Sequence, residues 1–137
     1  MTASVLIVTH GAIGQTILDV ATKIVGSVPM PIETMSIDMD DDYETHLSNL
    51  NKRADKLNSG DGVLILTDLF GATPSNIASA TDMHNCIIVS GINLPMLLRV
   101  MNYYALPLFQ LCDKAVDGGK DGVLAYYLDK NNATNTN

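Results

Sequence analysis

Two residues with reactive side chains, His10 and Asp68, each follow a short run of apolar residues. A neutral imidazole is nucleophilic at one ring nitrogen only when the other nitrogen holds the proton, and an adjacent carboxylate fixes that arrangement. The same carboxylate stabilises the cation that forms when the imidazole attacks. If the fold brings them together, the pair would suit nucleophilic chemistry, and we predict both as catalytic residues.

A second group of residues could hold a phosphoryl group. Pro74 suits the first position of a helix, which makes Thr73 the expected N-cap. Backbone N–H groups at the start of this helix, and of the helix that follows Gly11, attract anions. We therefore predict Gly11, Gly71 and Thr73 as phosphate-binding residues, in a site without Lys or Arg.

The elements that must position these residues follow from periodicity. Three short runs rich in β-branched residues are typical of strands buried on both faces of a parallel sheet: Val5–Val8, Val63–Leu66 and Ile87–Val89. Helical periods cover residues 13–24 before Gly26 and residues 43–57 before Gly60. A further strand is predicted over Ile32–Ile37, and the acidic residues 38–42 suit the start of the next helix.

The C-terminal part is predicted to form two more helices and a strand. The helices lie around Leu94–Tyr104 and Phe109–Val116, and a turn at Gly118-Gly119 leads into a last strand, Val123–Leu128. The order β-α-β-α-β-α-β-α-α-β predicts an open, doubly wound, mainly parallel α/β sheet with helices on both faces. We expect one domain over residues 1–130 and a polar flexible tail over residues 131–137.

This architecture selects the candidate site. In open α/β sheets ligands bind outside the carboxyl ends of the strands, where the strand order reverses. His10 and Asp68 both stand at such ends, and they meet if the first and third strands are neighbours. Asp68 could instead cap the helix that follows it, because aspartate is a favoured N-cap. His46 within a helix and His84 in a loop are interpreted as structural residues.

Composition argues against several classes of protein. No stretch approaches the roughly 20 apolar residues of a membrane span, and the first residues lack a basic segment, so we expect a cytoplasmic protein. The net charge of −7, with eight scattered Lys and Arg, argues against nucleic acid as a partner. The two isolated cysteines indicate neither a disulfide framework nor zinc. We expect no cofactor and no metal.

Other α/β proteins share parts of this pattern. A response-regulator receiver needs an acidic pair for magnesium after the first strand, where this chain has Thr9-His10. A flavodoxin-like module would hold FMN phosphate in its first loop, which is partly echoed here, but aromatic residues for the flavin ring are sparse. The motifs G-x-S-x-G, GxxxxGK[ST] and GxGxxG are absent. A metal bound by His10 with Asp38, Asp40 or Asp68 is an alternative with few ligands to support it.

Four segments stand at characteristic intervals: Val5–Gly11 (VLIVTHG), Gly62–Asn76 (GVLILTDLFGATPSN), Ser90–Leu97 (SGINLPML) and Gly122–Leu124. Together they resemble the enzyme IIA domain of the mannose-type sugar phosphotransferase system (PTS), over nearly the whole chain. The second segment is the most specific, because Asp, Gly, a hydroxyl residue, Pro and Asn recur there in order. Thr73 stands where the family often has serine, and Ala72 replaces a common glycine.

The resemblance implies a phosphoryl carrier. His10 would be phosphorylated on Nε2 by the phosphocarrier protein HPr and would pass the group to a histidine-bearing enzyme IIB, with Asp68 as the orienting partner. The resemblance also implies a homodimer in which the last strand, Val123–Leu128, is exchanged between subunits as an antiparallel edge strand. The membrane would be reached only through the transporter.

Two further distinctions concern the branch and the role. A related branch donates phosphate to a dihydroxyacetone kinase system, but its first motif usually reads SHS where this chain reads THG, which favours the mannose branch. No IIB domain follows in the 137 residues, so we expect the acceptor on a separate chain. The alternative role is a stand-alone regulator, in which phosphorylation of His10 switches the choice of partner.

Overall fold

The computed structural model describes residues 2–38, 40 and 42–129. Within them the chain forms a sheet of four strands, all parallel, in the order β2-β1-β3-β4. The strands are β1 (Ser4–His10), β2 (Ile32–Ile37), β3 (Val63–Thr67) and β4 (Cys86–Ser90). The helices are α1 (Ile13–Val25), α2 (Tyr43–Leu57), α3 (Thr73–Ser79), α4 (Leu94–Asn102) and α5 (Leu108–Asp121). The predicted tail, 131–137, lies outside the described residues.

The two central strands, β1 and β3, are buried on both faces because helices cover the sheet on either side. Successive side chains of a strand point to opposite faces. In β1, Val5 and Ile7 therefore pack in the layer with α1, α4 and α5, while Leu6 and Val8 pack against α2 and α3. This burial explains the unbroken apolar runs in the sequence. The predicted parallel α/β architecture with helices on both faces is confirmed.

The strand order reverses between β1 and β3. From β1 the chain crosses to β2 on one side, and it then returns to place β3 on the other side of β1. The register pairs Val8 with Thr67, so the chain leaves the sheet within two residues of this pair on both strands. The ends of β1 and β3 therefore lie side by side at the edge where such sheets bind ligands.

Local sequence signals set the ends of the first two helices. Gly26 ends α1 in the left-handed conformation, at φ 97°, and its N–H donates to the Thr22 carbonyl at 2.8 Å. Asp42 begins α2 by accepting a hydrogen bond from the Thr45 N–H at 3.3 Å. The predicted capping role of the acidic run is therefore found at Asp42.

The turn predicted at Gly118-Gly119 is wrong, because both glycines lie inside α5. A Cβ added to Gly118 would lie 2.5 Å from the Arg99 Cβ, and one added to Gly119 would lie 2.8 Å from the Met96 Cε. Gly118 thus allows α5 to approach α4 more closely than a side chain would permit, whereas a Cβ at position 119 would meet the flexible end of Met96. The contact between the helices, and not a change of chain direction, explains the glycine at position 118.

The last predicted strand, Val123–Leu128, is not a strand in this structure. A strand requires a hydrogen-bonded neighbour, and this segment pairs with none of the four strands in the described part of the chain. Its large apolar side chains are left exposed, from 68% at Leu124 to 94% at Tyr127. Antiparallel pairing of this segment with a second copy of the chain stays a prediction.

Substitution of Gly118 tests the close contact between α4 and α5. Alanine favours a helix over glycine by about 1 kcal/mol, but its Cβ would collide with the anchored Cβ of Arg99 and come within 3.2 Å of the Pro95 carbonyl. We expect Gly118→Ala to lower the free energy of unfolding by about 1 to 2 kcal/mol in urea titrations.

Asp117→Ala is the matched control for Gly118→Ala, because it introduces alanine at the preceding, exposed position of α5. We expect this variant to stay within about 0.5 kcal/mol of the unmodified chain. Equal stability of the two variants would show that α5 can move away from α4 without loss.

Candidate functional site

The ends of β1 and β3 bring His10 and Asp68 into contact. The His10 Nδ1 lies 2.7 Å from the Asp68 Oδ2, and the backbone N–H of His10 donates to the same oxygen at 3.0 Å. The Leu69 N–H donates to the other carboxylate oxygen, Oδ1, at 3.0 Å. Asp68 does not cap α3, because the N-cap of that helix is Ala72. The carboxylate is therefore committed to orienting the imidazole.

The surroundings of Asp68 keep its carboxylate ionised. Burial raises the pKa of Asp68. Hydrogen bonds from the ring and the backbone of His10, and a backbone hydrogen bond at Asp68 itself, lower it by more, so the pKa lies below the ordinary value of 3.8. An ionised carboxylate can only accept hydrogen bonds. The contact with His10 therefore places the imidazole proton on Nδ1.

The second ring nitrogen of His10, Nε2, is consequently the nucleophilic one. Among the described residues none forms a hydrogen bond with Nε2. The His10 side chain is 35% exposed, whereas that of Asp68 is 12% exposed. When the ring is neutral, its unprotonated nitrogen therefore belongs to a partly exposed side chain, while the orienting carboxylate is more shielded.

Gly11 turns the chain from β1 into α1. It adopts φ +46°, in the left-handed region that favours glycine, and no heavy atom lies within 4 Å of the position its Cβ would take. Its N–H already donates to the Ile37 carbonyl at 3.3 Å. The backbone next to His10 is thus open to a ligand on its Cβ side, while its N–H is engaged by β2.

Thr9 fixes the start of α1 from the end of β1. Its buried hydroxyl accepts a hydrogen bond from the Gly14 N–H at 2.8 Å and lies 3.2 Å from the His10 carbonyl oxygen, to which it donates. Ala12, the N-cap residue of α1, forms no capping bond with its side chain. The sequence prediction assigned no role to Thr9; a polar residue that ends an apolar strand just before a helix was the available signal.

Gly71 lies in the loop between β3 and α3, and Thr73 is the first residue of α3. The predicted N-cap is wrong by one residue, because the Ala72 carbonyl accepts the first helical bond, from the Asn76 N–H at 2.9 Å, and Thr73 is already helical. Gly71 adopts φ +84°, and its carbonyl is held by the Asn76 side-chain amide at 3.1 Å. Among the described residues the N–H groups of Gly71 and Thr73 have no hydrogen-bond acceptor.

The predicted site residues all lie at the carboxyl edge of the sheet, but the structure shows direct side-chain contact for His10 and Asp68. His10 and Asp68 touch, and Gly11 adjoins His10. Thr73 lies at the start of α3, which packs on β1 and β3 and begins at the same edge of the sheet. The phosphate-binding role of Gly11, Gly71 and Thr73 stays a prediction.

Two hydroxyl groups at the ends of β3 and β4 form a contact for which the sequence prediction gave no role. The Thr67 Oγ1 and the Ser90 Oγ lie 2.8 Å apart. The signal in the sequence was that VLILT and CIIVS, two otherwise apolar runs, both end in a hydroxyl residue. Which side chains face each other depends on the register, in which Thr67 pairs with Ser90.

Large apolar side chains next to His10 and Asp68 in the sequence are exposed. Leu69 and Phe70, directly after Asp68, are 61% and 84% exposed, and Ile13, at the start of α1, is 46% exposed. The other two histidines lie elsewhere. His46 is buried in α2, with Nε2 3.4 Å from the Asp38 carbonyl oxygen, and His84 stands in the loop before β4, at the opposite edge of the sheet.

The fold and the site define a parallel α/β domain with an oriented histidine at the carboxyl end of its first strand. Residues 4–115 match the model of the EIIA-man family, described as the PTS system fructose IIA component. The chain belongs to this family. The resemblance to the mannose-type enzyme IIA, stated from four sequence segments, is confirmed.

The chain is also similar to individual curated proteins. It is 31% identical over 129 residues to the PTS system mannose-specific EIIAB component of Escherichia coli (strain K12). The match covers 91% of this chain and 40% of that protein. The same values relate it to the component of that name from Shigella flexneri. The chain thus spans less than half the length of these relatives.

Solved structures share the fold. The mannose/sorbose specific IIA subunit of the phosphotransferase system from Enterococcus faecalis superposes with a TM-score of 0.80 at 21% identity, over 95% of this chain and 98% of that chain. The PTS IIA protein associated with the fucose utilization operon from Streptococcus pneumoniae gives 0.77 at 22% identity, over 91% and 96%. In the part of the chain that the structure describes, no helix has the length and apolar character needed to cross a membrane.

The lowered pKa of Asp68 predicts how acid affects stability. A carboxyl group whose pKa is lower in the folded state stabilises that state above the ordinary pKa of 3.8, and it loses this contribution as the pH falls through the folded value. We expect the difference in free energy of unfolding between the unmodified chain and Asp68→Asn to shrink as the pH falls below 3.8. Urea titrations at a series of pH values measure this difference.

Asp82→Asn is the control for this experiment, because Asp82 lies at the opposite edge of the sheet and has no contact with His10. The difference for Asp68→Asn should change more across this window than that for Asp82→Asn, because Asp68 accepts hydrogen bonds from His10. A constant difference for Asp68→Asn would contradict the lowered pKa.

Proposed function

We propose that the chain is a phosphoryl carrier of the PTS, in which His10 accepts a phosphoryl group from phosphorylated HPr and passes it to a IIB component. The observation that supports this function best is the 2.7 Å contact between the His10 Nδ1 and the Asp68 Oδ2. It leaves Nε2 unprotonated and accessible at the end of a strand.

The transfer is a displacement at phosphorus. The lone pair on the His10 Nε2 forms a bond to phosphorus, while the bond between phosphorus and the donor's histidine nitrogen breaks and its electron pair returns to the donor ring. The His10 ring then carries a positive charge, with its proton still on Nδ1. The ionised Asp68 stabilises this charge without taking the proton. Delivery to the IIB component is the same step with His10 as the donor.

The phosphoryl oxygens would be held by neutral groups. The three segments at the carboxyl ends of β1, β3 and β4, with the starts of the helices after β1 and β3, cover residues 9–15, 67–76 and 90–93 and contain no Lys or Arg. The N–H groups of Gly71 and Thr73 and the Thr73 hydroxyl are donors suited to an anion. Gly11 gives the group access beside His10. Weak, neutral binding suits a carrier that must release what it receives.

The partners of this proposal are proteins. HPr is the donor and the IIB component is the acceptor, so the membrane is reached only through the transporter. A second copy of the chain would supply the neighbour that residues 123–128 lack. The cytoplasmic location predicted from the sequence is consistent with these partners and stays a prediction.

Phosphorylation of His10 is the direct test. We expect the chain, incubated with phosphoenolpyruvate, enzyme I and HPr, to acquire a phosphate that is labile in acid and stable in alkali. His10→Ala should acquire none, because the nucleophilic nitrogen is gone. His84→Ala, which removes an exposed histidine at the other edge of the sheet, should be labelled like the unmodified chain. Full labelling of His10→Ala would end the proposal.

Exposed apolar residues beside the histidine predict where the partners dock. Phe70 is 84% exposed, two residues after Asp68, and an aromatic ring in that position is a typical anchor for a protein partner. We expect Phe70→Ser to raise the HPr concentration that gives half the maximal rate of transfer by about tenfold, which corresponds to about 1.4 kcal/mol. The maximal rate should change little, since His10 and Asp68 are untouched.

Phe109→Ser is the matched control, because Phe109 is 77% exposed and lies at the start of α5, near Gly60 and Asn85 at the opposite edge of the sheet. Transfer by this variant should show an unchanged dependence on HPr. If both phenylalanine variants behave alike, the loop after Asp68 is not part of the docking surface.

A further inference from the structure

We propose that Thr67 is a positioning residue for the catalytic pair and that it acts through its contact with the Ser90 hydroxyl. The inference rests on the proposed function insofar as it concerns the rate of transfer. It goes beyond that function because it concerns what aims Asp68 at His10. In the described part of the chain Thr67 forms no hydrogen bond with His10.

Thr67 is held at two points. It is the last residue of β3 and is fully buried, and its Oγ1 lies 2.8 Å from the Ser90 Oγ at the end of β4. Its backbone carbonyl accepts two hydrogen bonds, from the N–H groups of Gly91 and Ile92, each at 2.9 Å. The end of β3 is therefore attached both to the end of β4 and to the turn that leads into α4.

The two backbone bonds hold the peptide group that leads into Asp68, and the hydroxyl contact with Ser90 anchors the side chain of the same residue. The peptide unit is planar, so an immobilised Thr67 carbonyl also sets the direction of the bond to the Asp68 nitrogen and the position of its Cα. The Asp68 side chain then reaches the His10 Nδ1 at 2.7 Å. Asp68 is consequently held from its own strand by Thr67 and from the neighbouring strand by His10.

The hydroxyl pair at the ends of β3 and β4 is better explained by the directional restraint of a hydrogen bond than by packing. Thr67 and Ser90 form the last pair of the β3–β4 register, where a ladder tends to fray. A buried hydroxyl without a partner costs about 1 to 3 kcal/mol, whereas an apolar pair of similar shape would fill the space without that risk. The bond between the hydroxyls adds a directional restraint where the sheet ends and the site begins.

Loss of the restraint should affect the proton on His10. If the Asp68 Oδ2 moves away from Nδ1, the neutral ring can place its proton on Nε2 and lose its nucleophilic nitrogen. A misplacement of about 1 Å can lower a rate by about a hundredfold. The signature of a positioning role is therefore a changed tautomer together with a slower transfer.

Thr67→Val tests the inference, because valine keeps the shape of threonine and removes the hydroxyl. We expect the ¹⁵N chemical shifts of the His10 ring to report a single Nδ1–H tautomer in the unmodified chain and a mixture in Thr67→Val. Transfer from phosphorylated HPr should slow by about tenfold or more. Thr67→Ser, which keeps the hydroxyl, should restore both the tautomer and most of the rate.

Two further variants separate positioning from stability. Thr81→Val removes a similar hydroxyl contact, between the Thr81 Oγ1 and the Asn51 Oδ1 at 2.6 Å, away from the site, and should leave the His10 tautomer unchanged whatever it does to stability. Ser90→Ala should reproduce the effect of Thr67→Val. The double variant should be no slower than either single one, because both remove the same contact.

An unchanged tautomer and an unchanged rate in Thr67→Val would overturn the inference, as would a Thr67→Ser variant that restores neither. The tautomer is measured on the unphosphorylated chain. If HPr did not label the unmodified chain, the proposed function would fail, while the ¹⁵N measurement would still decide whether Thr67 positions the pair.

Discussion

The site depends on one constraint, the parallel pairing of β1 with β3 at the point where the strand order reverses. Parallel neighbours end at the same edge of the sheet, so a residue that leaves β1 meets one that leaves β3. The register that pairs Val8 with Thr67 then sets His10 against Asp68. A slip of one residue would turn the side chains of β3 to the opposite faces, so each would have to pack into the other helix layer. The core therefore protects the geometry of the site.

Much of the fold was predictable because the strands are buried on both faces, which produces unbroken apolar runs, and because glycine or aspartate marks several helix ends. The sequence was misread where the reason for a residue lies in a distant contact. Gly118 and Gly119 resemble a turn in the sequence, but they lie where α5 touches α4. Residues 123–128 have the composition of a strand, yet strand formation depends on a neighbour that composition does not specify.

The catalytic pair of the candidate site could be predicted from the sequence, but the residues that support it could not. A histidine and an aspartate at strand ends could be paired from the rule for open α/β sheets alone, and the structure places them in contact. The roles of Thr9, Thr67 and Ser90 could not be predicted in this way. A hydroxyl residue at the end of a strand can cap a helix, bond to its own backbone or face solvent. The choice among these depends on register and on the path of the following loop, which are properties of the assembled sheet.

The charges around His10 bear on how a relay would work. Asp68 is the one carboxylate within the segments at the carboxyl ends of β1, β3 and β4, which contain no Lys or Arg, and Asp38, after β2, lines a cavity together with Gly11. Charged hydrogen bonds from Arg or Lys bind phosphate about twice as strongly as neutral ones. In a phosphoryl carrier such as the one proposed, charged hydrogen bonds would favour retention of the phosphoryl group and oppose its delivery. Neutral N–H donors, with the Asp68 carboxylate in contact with the charged ring, would keep the phosphorylated and free states closer in energy, which a carrier between two proteins requires.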